Sequence, residues 1–135
     1  MTSTRRATER DIPACLQASA SRRDTFFVQK DFVGALNDQD AIWLVAEKDG
    51  KVVGFILGYF NPTKNEEAMI QSTMVHADYG HQGIGSMLVK ALADDAFGRG
   101  VQYVLAEVED GPDKFYEKCG FKRVHEWHSM QISRP

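Results

Sequence analysis

Cysteine is scarce in this chain: Cys15 and Cys119 are the only two among 135 residues. They stand far apart without metal-ligand spacing, so neither a disulfide framework nor a zinc site is implied, and both read as free thiols. Long apolar runs are missing too. None approaches the roughly 18 residues that span a bilayer, although 43% of the chain is hydrophobic. An excess of basic charge is likewise lacking, with 16 Lys and Arg against 19 Asp and Glu and a net charge of -3. That balance argues against a nucleic-acid backbone as the main partner. Thr2 to Asp11 is polar and charged with no apolar stretch after it, so the middle region of a secretory signal is missing and the cytoplasm is the expected compartment. With no repeat, low-complexity tract or Pro/Gly/Ser-rich linker, a second domain has nowhere to begin. One domain over residues 1–135 is expected, with no nucleic acid, membrane or metal among its partners.

What is present is a clear succession of periodicities. Arg5 to Thr8 reads as a short first strand, and Thr8 with Asp11 offers caps to a helix carrying Ile12, Cys15 and Leu16 on one side. Asp31 is placed to cap a second helix, Phe32 to Asn37. Ile42 to Glu47 and Val52 to Phe60 are β-branched and aromatic runs on either side of Lys48-Asp49-Gly50-Lys51, and an Asp-Gly pair in that position predicts a hairpin. Ala68 to His76 reads as a further strand. From Ile84 the period changes: Ile84, Met87, Leu88, Ala91, Leu92 and Ala96 recur at helical spacing until Gly98 and Gly100. Val101 to Val108 is then a buried strand, Asp113 to Cys119 a short helix stopped by Gly120, and Phe121 to Ile132 strand-like. An antiparallel first half followed by alternating strands and helices predicts an α/β fold with a mixed, largely antiparallel sheet and helices on both faces.

Between the fourth strand and the periodic helix lies Val75-His76-Ala77-Asp78-Tyr79-Gly80-His81-Gln82-Gly83-Ile84-Gly85-Ser86. A glycine-rich turn at a helix start lets backbone N–H groups converge where the helix dipole is positive, which suits phosphate oxygens. The spacing fits neither the P-loop nor the dinucleotide fingerprint. Taken alone, the glycines could equally be turn punctuation.

The second informative stretch is Phe115-Tyr116-Glu117-Lys118-Cys119-Gly120-Phe121. Together the two resemble the hallmark motifs of the GNAT superfamily of N-acetyltransferases, a cofactor motif ending [QR]-x-x-G-x-[GA] and a later [LF]-Y-E-K-x-G-F that matches here at every position. The resemblance runs from about Trp43 to Phe121. It implies a sheet splayed between its fourth and fifth strands, with coenzyme A in the gap and its pyrophosphate on the glycine turn, and acetyl-CoA as the acyl donor. Carried over residue by residue, it implies contacts to the cofactor from Gly80, His81, Gln82, Gly83, Gly85 and Ser86, and backbone pairing of Met74 and Val75 with pantetheine. Two positions depart from the pattern. Gly80 stands where the family usually has Gln or Arg, which removes a side chain able to contact or brace the turn, and Glu109 stands where many members have Asn.

The same resemblance implies that Tyr116 sits beside the coenzyme sulfur and donates a proton as the thiolate leaves. A phenol, ordinarily protonated up to about pH 10, suits that task, whereas outside the motif a tyrosine in an amphipathic helix is more often a core residue. An amine must be neutral to attack a thioester, so a base is also needed. Glu67, Glu107 and His76 are the candidates, each equally readable as a solvated strand-end group. The carbonyl oxygen should be polarised by a backbone N–H of the fourth strand. Glu117 and Lys118 read as a solvated face, and Cys119 as small packing rather than a nucleophile.

The expected function is thus transfer of an acetyl group from acetyl-CoA to a primary amine, whether of a small metabolite, a peptide terminus or a protein lysine. The alternative is a non-catalytic acyl-CoA-binding regulatory module. In the family the acceptor site is built by the first two helices and their loop, here about Ser19 to Lys30. Arg22 and Arg23 could favour an acidic acceptor there and Phe26 with Phe27 an apolar one, with surface and core placement the commoner explanations. The tail, Phe121 to Ile132, leaves little room for the two closing strands typical of the family. An edge left open would favour a homodimer by strand pairing.

Overall fold

The computed structural model describes residues 1–23, 27–107, 114–123 and 129–135. In chain order the elements are β1 (Thr2–Arg6), α1 (Ile12–Ser21), α2 (Gln29–Leu36), β2 (Ala41–Lys48), β3 (Lys51–Phe60), β4 (Glu67–Val75), α3 (Ile84–Gly98), β5 (Tyr103–Glu107), α4 (Lys114–Lys118), β6 (Lys122–Arg123) and β7 (Ser129–Ser133). Short 3-10 turns at Glu9–Asp11 and Ala77–Tyr79 lead into α1 and toward α3. One seven-stranded sheet runs β1-β2-β3-β4-β5-β7-β6. Its pairs are antiparallel except β4 with β5.

The hairpin between β2 and β3 forms where Asp49-Gly50 predicts it. Both residues adopt left-handed backbone, with φ of 52° and 81°, and Lys48 pairs with Lys51 across the turn. A two-residue turn of that hand matches the twist of the strands it joins. Residues 41–46 of β2 are all buried because both faces of the sheet are covered. Alternate side chains divide between two cores. Ile42, Leu44, Ala46 and Ile56 pack with α3 residues Leu88, Leu92 and Ala96 on one face. Trp43, Val45, Phe55 and Leu57 pack with Ile12, Cys15, Phe27 and Phe32 on the other. Phe32 is fully buried there, its ring 5.0 Å from Trp43 and 5.2 Å from Phe55.

The largest differences from expectation are at the first strand, the second helix and the tail. The first strand is Thr2–Arg6, because pairing to β2 from Thr2↔Lys48 to Arg6↔Leu44 outweighs its polar sequence. Helix α2 begins at Gln29, with Asp31 inside the first turn, where its carboxylate accepts the Val28 N–H at 2.8 Å instead of standing at the cap. The tail does form two closing strands, since β6 needs only two residues and β7 slots between it and β5. The edge on which pairing between copies was expected is therefore covered by β7. Val108 and Asp113, the expected ends of the fifth strand and fourth helix, and Glu109 and Phe26 lie outside the described residues.

The feature that makes the site is in β4. Its pairing to β3 passes from Leu57↔Ser72 to Gly58↔Ile70, which leaves Gln71 as an extra, bulged residue. Its parallel pairing to β5 runs from Glu67↔Tyr103 to Ile70↔Ala106 and stops there. Among the described residues β4 continues beyond that point to Val75 without a partner in β5, so the sheet splays between its fourth and fifth strands. Bulge and splay begin at the same place, because a bulged strand bends away from its neighbour.

Candidate functional site

The open side of β4 leads directly to the start of α3. His76 N–H donates to Val53 O at 2.8 Å across to β3. Successive peptide groups in a strand point to opposite sides, so the main-chain groups of Val75 and Thr73 face the gap while those of Met74 face β3. Of the expected backbone pair, Val75 therefore turns its main-chain groups to the gap and Met74 does not, and the Met74 side chain packs with the α1 and α2 core.

After the turn at Ala77–Tyr79 the chain reaches Gly80, His81, Gln82 and Gly83. His81 has φ of 61° and Gly83 φ of 79°, both left-handed, and Gly83 caps α3. Glycine is needed at 83 because a side chain is strained in that backbone. It also brings no side-chain oxygen to the cap, and the first turn of α3 holds no acidic residue. The first intrahelical bond is Met87 N–H to Gly83 O at 3.1 Å. The N–H groups of Ile84, Gly85 and Ser86 thus have no intrahelical acceptor and carry the positive end of the helix dipole. They border a cleft of about 460 Å³ lined also by Arg22, Val75, Tyr79, Gly80, His81, Phe115 and Lys118. Gly85 is packed closely: a Cβ there would stand 3.0 Å from Phe115 Cε1. Gln82 accepts a hydrogen bond from Lys48 Nζ, which also lies 5.9 Å over the Tyr79 ring.

Tyr116 lies in α4, buried at 8% exposure, with its ring 5.0 Å from Phe115 and 5.3 Å from Phe121. Its hydroxyl is 3.3 Å from Thr73 Oγ1, on the stretch of β4 that pairs with β3 and, among the described residues, not with β5. The polar end of the ring therefore reaches the gap while the rest belongs to the core. Thr73 carried no sequence signal.

The base candidates are not brought together. Glu67 is buried at the start of β4, at the paired end, where Asn61 Nδ2 donates to its carboxylate at 2.7 Å. It is six residues before Thr73, about 20 Å along a strand. Glu107 is the last residue of β5, paired with Ser129 and one position past Ala106, where the gap opens. His76 Nδ1 accepts the Asp78 N–H at 3.1 Å and so serves the turn. Cys15 is fully buried, and burial pushes its thiol up to about 12. Cys119 is half-buried with Sγ 3.8 Å from Ser86 Oγ. Among the described residues no group of three His, Cys, Asp or Glu side chains could hold a metal, and no helix is long and apolar enough to cross a membrane.

Of the residues assigned to the acceptor side, Phe27 is core, and Arg22 lies in the cleft at the glycine turn. Its Nε donates to Val75 O at 2.8 Å. The end of α1 is fastened to the same turn, since Ser21 Oγ accepts the Ala77 N–H at 2.9 Å.

Comparison with known proteins places this geometry in a family. The model of the Acetyltransferase (GNAT) family matches residues 5–121. A Xenopus tropicalis protein described as "Probable N-acetyltransferase camello" is 28% identical over 124 residues, covering 83% of this chain and 55% of its own length. An N-alpha-acetyltransferase of Sulfurisphaera tokodaii is 32% identical over 106 residues, covering 69% of this chain and 64% of its own. The chain thus spans between half and two thirds of the length of these curated relatives. The crystal structure of the PaiA N-acetyltransferase from Thermoplasma acidophilum in complex with coenzyme A shares the fold, with a TM-score of 0.79, 16% identity and 99% coverage of both chains.

Proposed function

The chain belongs to the GNAT family of acetyltransferases, and on that premise we propose that it transfers an acetyl group from acetyl-CoA to a primary amine by direct attack. One observation carries the proposal: the uncapped start of α3 borders a cleft that, among the described residues, no carboxylate lines, next to the stretch of β4 that has no strand partner in β5 among those residues. Such a cleft fits the donor chemically, because its phosphates need N–H donors and its pantetheine amides need free peptide groups.

Bound acetyl-CoA would supply an acetyl group activated as a thioester. The N–H groups of Ile84, Gly85 and Ser86 would hold phosphate oxygens. The peptide groups of Thr73 and Val75 would align pantetheine, and one of their N–H groups would polarise the acetyl carbonyl. Tyr116 Oη would hold the proton that the departing thiolate takes up, with Thr73 Oγ1 orienting it. The incoming amine must shed a proton. Glu107, at the register where the gap opens, is the candidate that the backbone arrangement favours over Glu67.

Two free cysteines fit a reducing compartment, and the cytoplasm is the proposed one. The test is thiol release from acetyl-CoA with a panel of amines, amino acids, polyamines and peptides. Release with at least one acceptor supports the enzyme. Tight acetyl-CoA binding with no release across the panel would favour the non-catalytic binding module.

A further inference from the structure

We propose that Arg22, at the end of α1, binds the pyrophosphate of coenzyme A and takes over the position left without a side chain at Gly80. The inference rests on the acyl-CoA reading and names a contact that reading does not contain. Gly80 has φ of -66° and ψ of 159°, an extended backbone open to any residue. Nothing in the conformation of the turn calls for glycine at that position. What occupies the space is the Arg22 guanidinium: a Cβ built on Gly80 would stand 3.1 Å from Nη2 and 4.0 Å from Cζ.

The guanidinium is also held in place. Nε donates to Val75 O at 2.8 Å, and Ser21 Oγ ties the neighbouring backbone to Ala77 N. A carbonyl oxygen has two lone pairs, so Val75 O can accept this bond and still pair in the gap. With Nε so used, the two Nη groups remain as a planar fork, the geometry that suits paired phosphate oxygens. Among the described residues no carboxylate forms an ion pair with Arg22. Among the described residues the cleft it lines contains Lys118 as a second cation and no acidic residue, in a chain whose net charge is -3. A cation held in a cleft of this sign beside three free helix N–H groups has an anion as its matching partner.

The experiment measures affinity for acetyl-CoA, acetyl-dephospho-CoA and S-acetylpantetheine in the wild-type protein and in Arg22→Ala, with thermal melting as the check on folding. Arg22→Gln, which keeps a donor for Val75 O and loses the charge, replaces the alanine variant if that does not fold. The expected result is a loss of roughly ten- to a hundredfold in affinity for both coenzyme forms, since both carry the pyrophosphate, with S-acetylpantetheine binding unchanged. Placing the cation back on the turn, as Gly80→Arg in the Arg22→Ala background, should recover part of that loss. An unchanged affinity in Arg22→Ala overturns the assignment. So does an equal loss with S-acetylpantetheine, which would mean that Arg22 only braces the turn, or a loss confined to acetyl-CoA, which would point to the 3′-phosphate. Failure of Gly80→Arg to recover any affinity overturns the exchange of positions. A wild-type protein that binds none of the three probes would overturn the acyl-CoA reading itself.

Discussion

Tyr116 Oη and Thr73 Oγ1 lie 3.3 Å apart across the splayed part of the sheet, one from α4 and the other from the stretch of β4 beyond its last pair with β5. Elsewhere the Tyr116 ring is enclosed by Phe115, Phe121 and the core beneath α3. A hydroxyl held at the edge of a gap by a ring fixed in the core is positioned without the entropy cost of ordering a loose side chain.

Tyr116→Phe should therefore keep the fold and acetyl-CoA binding while lowering turnover. General-acid contributions run about 100-fold to 10,000-fold, and a thiolate is already a fair leaving group, so a drop at or below the low end is expected. Steady-state kinetics should show the loss in kcat. Equal kcat in the two proteins would reduce Tyr116 to a packing residue.

Glu67 and Glu107 should separate cleanly. Glu67→Gln removes a buried carboxylate that Asn61 satisfies at the closed end of the sheet, so it should lower the melting temperature and leave the pH dependence of kcat unchanged. Glu107→Gln should lower turnover mainly at neutral pH and recover as the buffer deprotonates the amine. pH–rate profiles of both variants decide this, and an altered profile in Glu67→Gln alone would reverse the assignment.

The Cys15→Ala, Cys119→Ala protein should retain turnover. Burial holds the Cys15 thiol up at about 12, far from the thiolate that nucleophilic catalysis needs. Alkylation of the native protein at pH 8 should accordingly spare Cys15. Loss of all transfer in a folded, cofactor-binding cysteine-free variant, or acetyl trapped on Cys119, would contradict direct attack.

Acetyl-CoA should raise the melting temperature, since a ligand at a hundredfold excess over its Kd adds about 2.7 kcal/mol. Gly85→Glu should abolish the shift by two routes: its carboxylate would meet the phosphate, and its Cβ would press on the Phe115 ring. A retained shift would place the coenzyme elsewhere.

Arg5 and Asp11 give the fold an acid-sensitive tie. Arg5 grips the buried carboxylate at 2.8 and 2.9 Å, and these hydrogen bonds, the largest influence, hold Asp11 below the ordinary carboxylate range. The folded state thus binds its proton less readily than the unfolded chain. The resulting stability is complete above the unfolded value of about 3.9 and is lost as pH falls through the folded one. Asp11→Asn should cost about 1–3 kcal/mol at pH 7, and denaturant titrations should show the gap to wild type narrowing below about pH 4.

The elements that carry the site were legible because local spacing specifies them. The Asp49-Gly50 turn requires left-handed backbone, and the apolar period from Ile84 requires a helix with one buried side. The glycines before that helix and the Tyr116 motif carried the family resemblance that implied the ligand class. Local spacing does not record which distant side chain lies beside which turn. The tertiary structure alone placed Arg22 against Gly80, put Thr73 beside Tyr116, and set Glu67 at the end of β4 that pairs with β5. It alone decided that β7 enters between β5 and β6. The contacts of Arg22 with Val75 and of Thr73 with Tyr116 span 53 and 43 residues. They depend on the register of paired strands and on the end of pairing at Ile70, where one bulged residue, Gln71, turns the rest of β4 toward the gap.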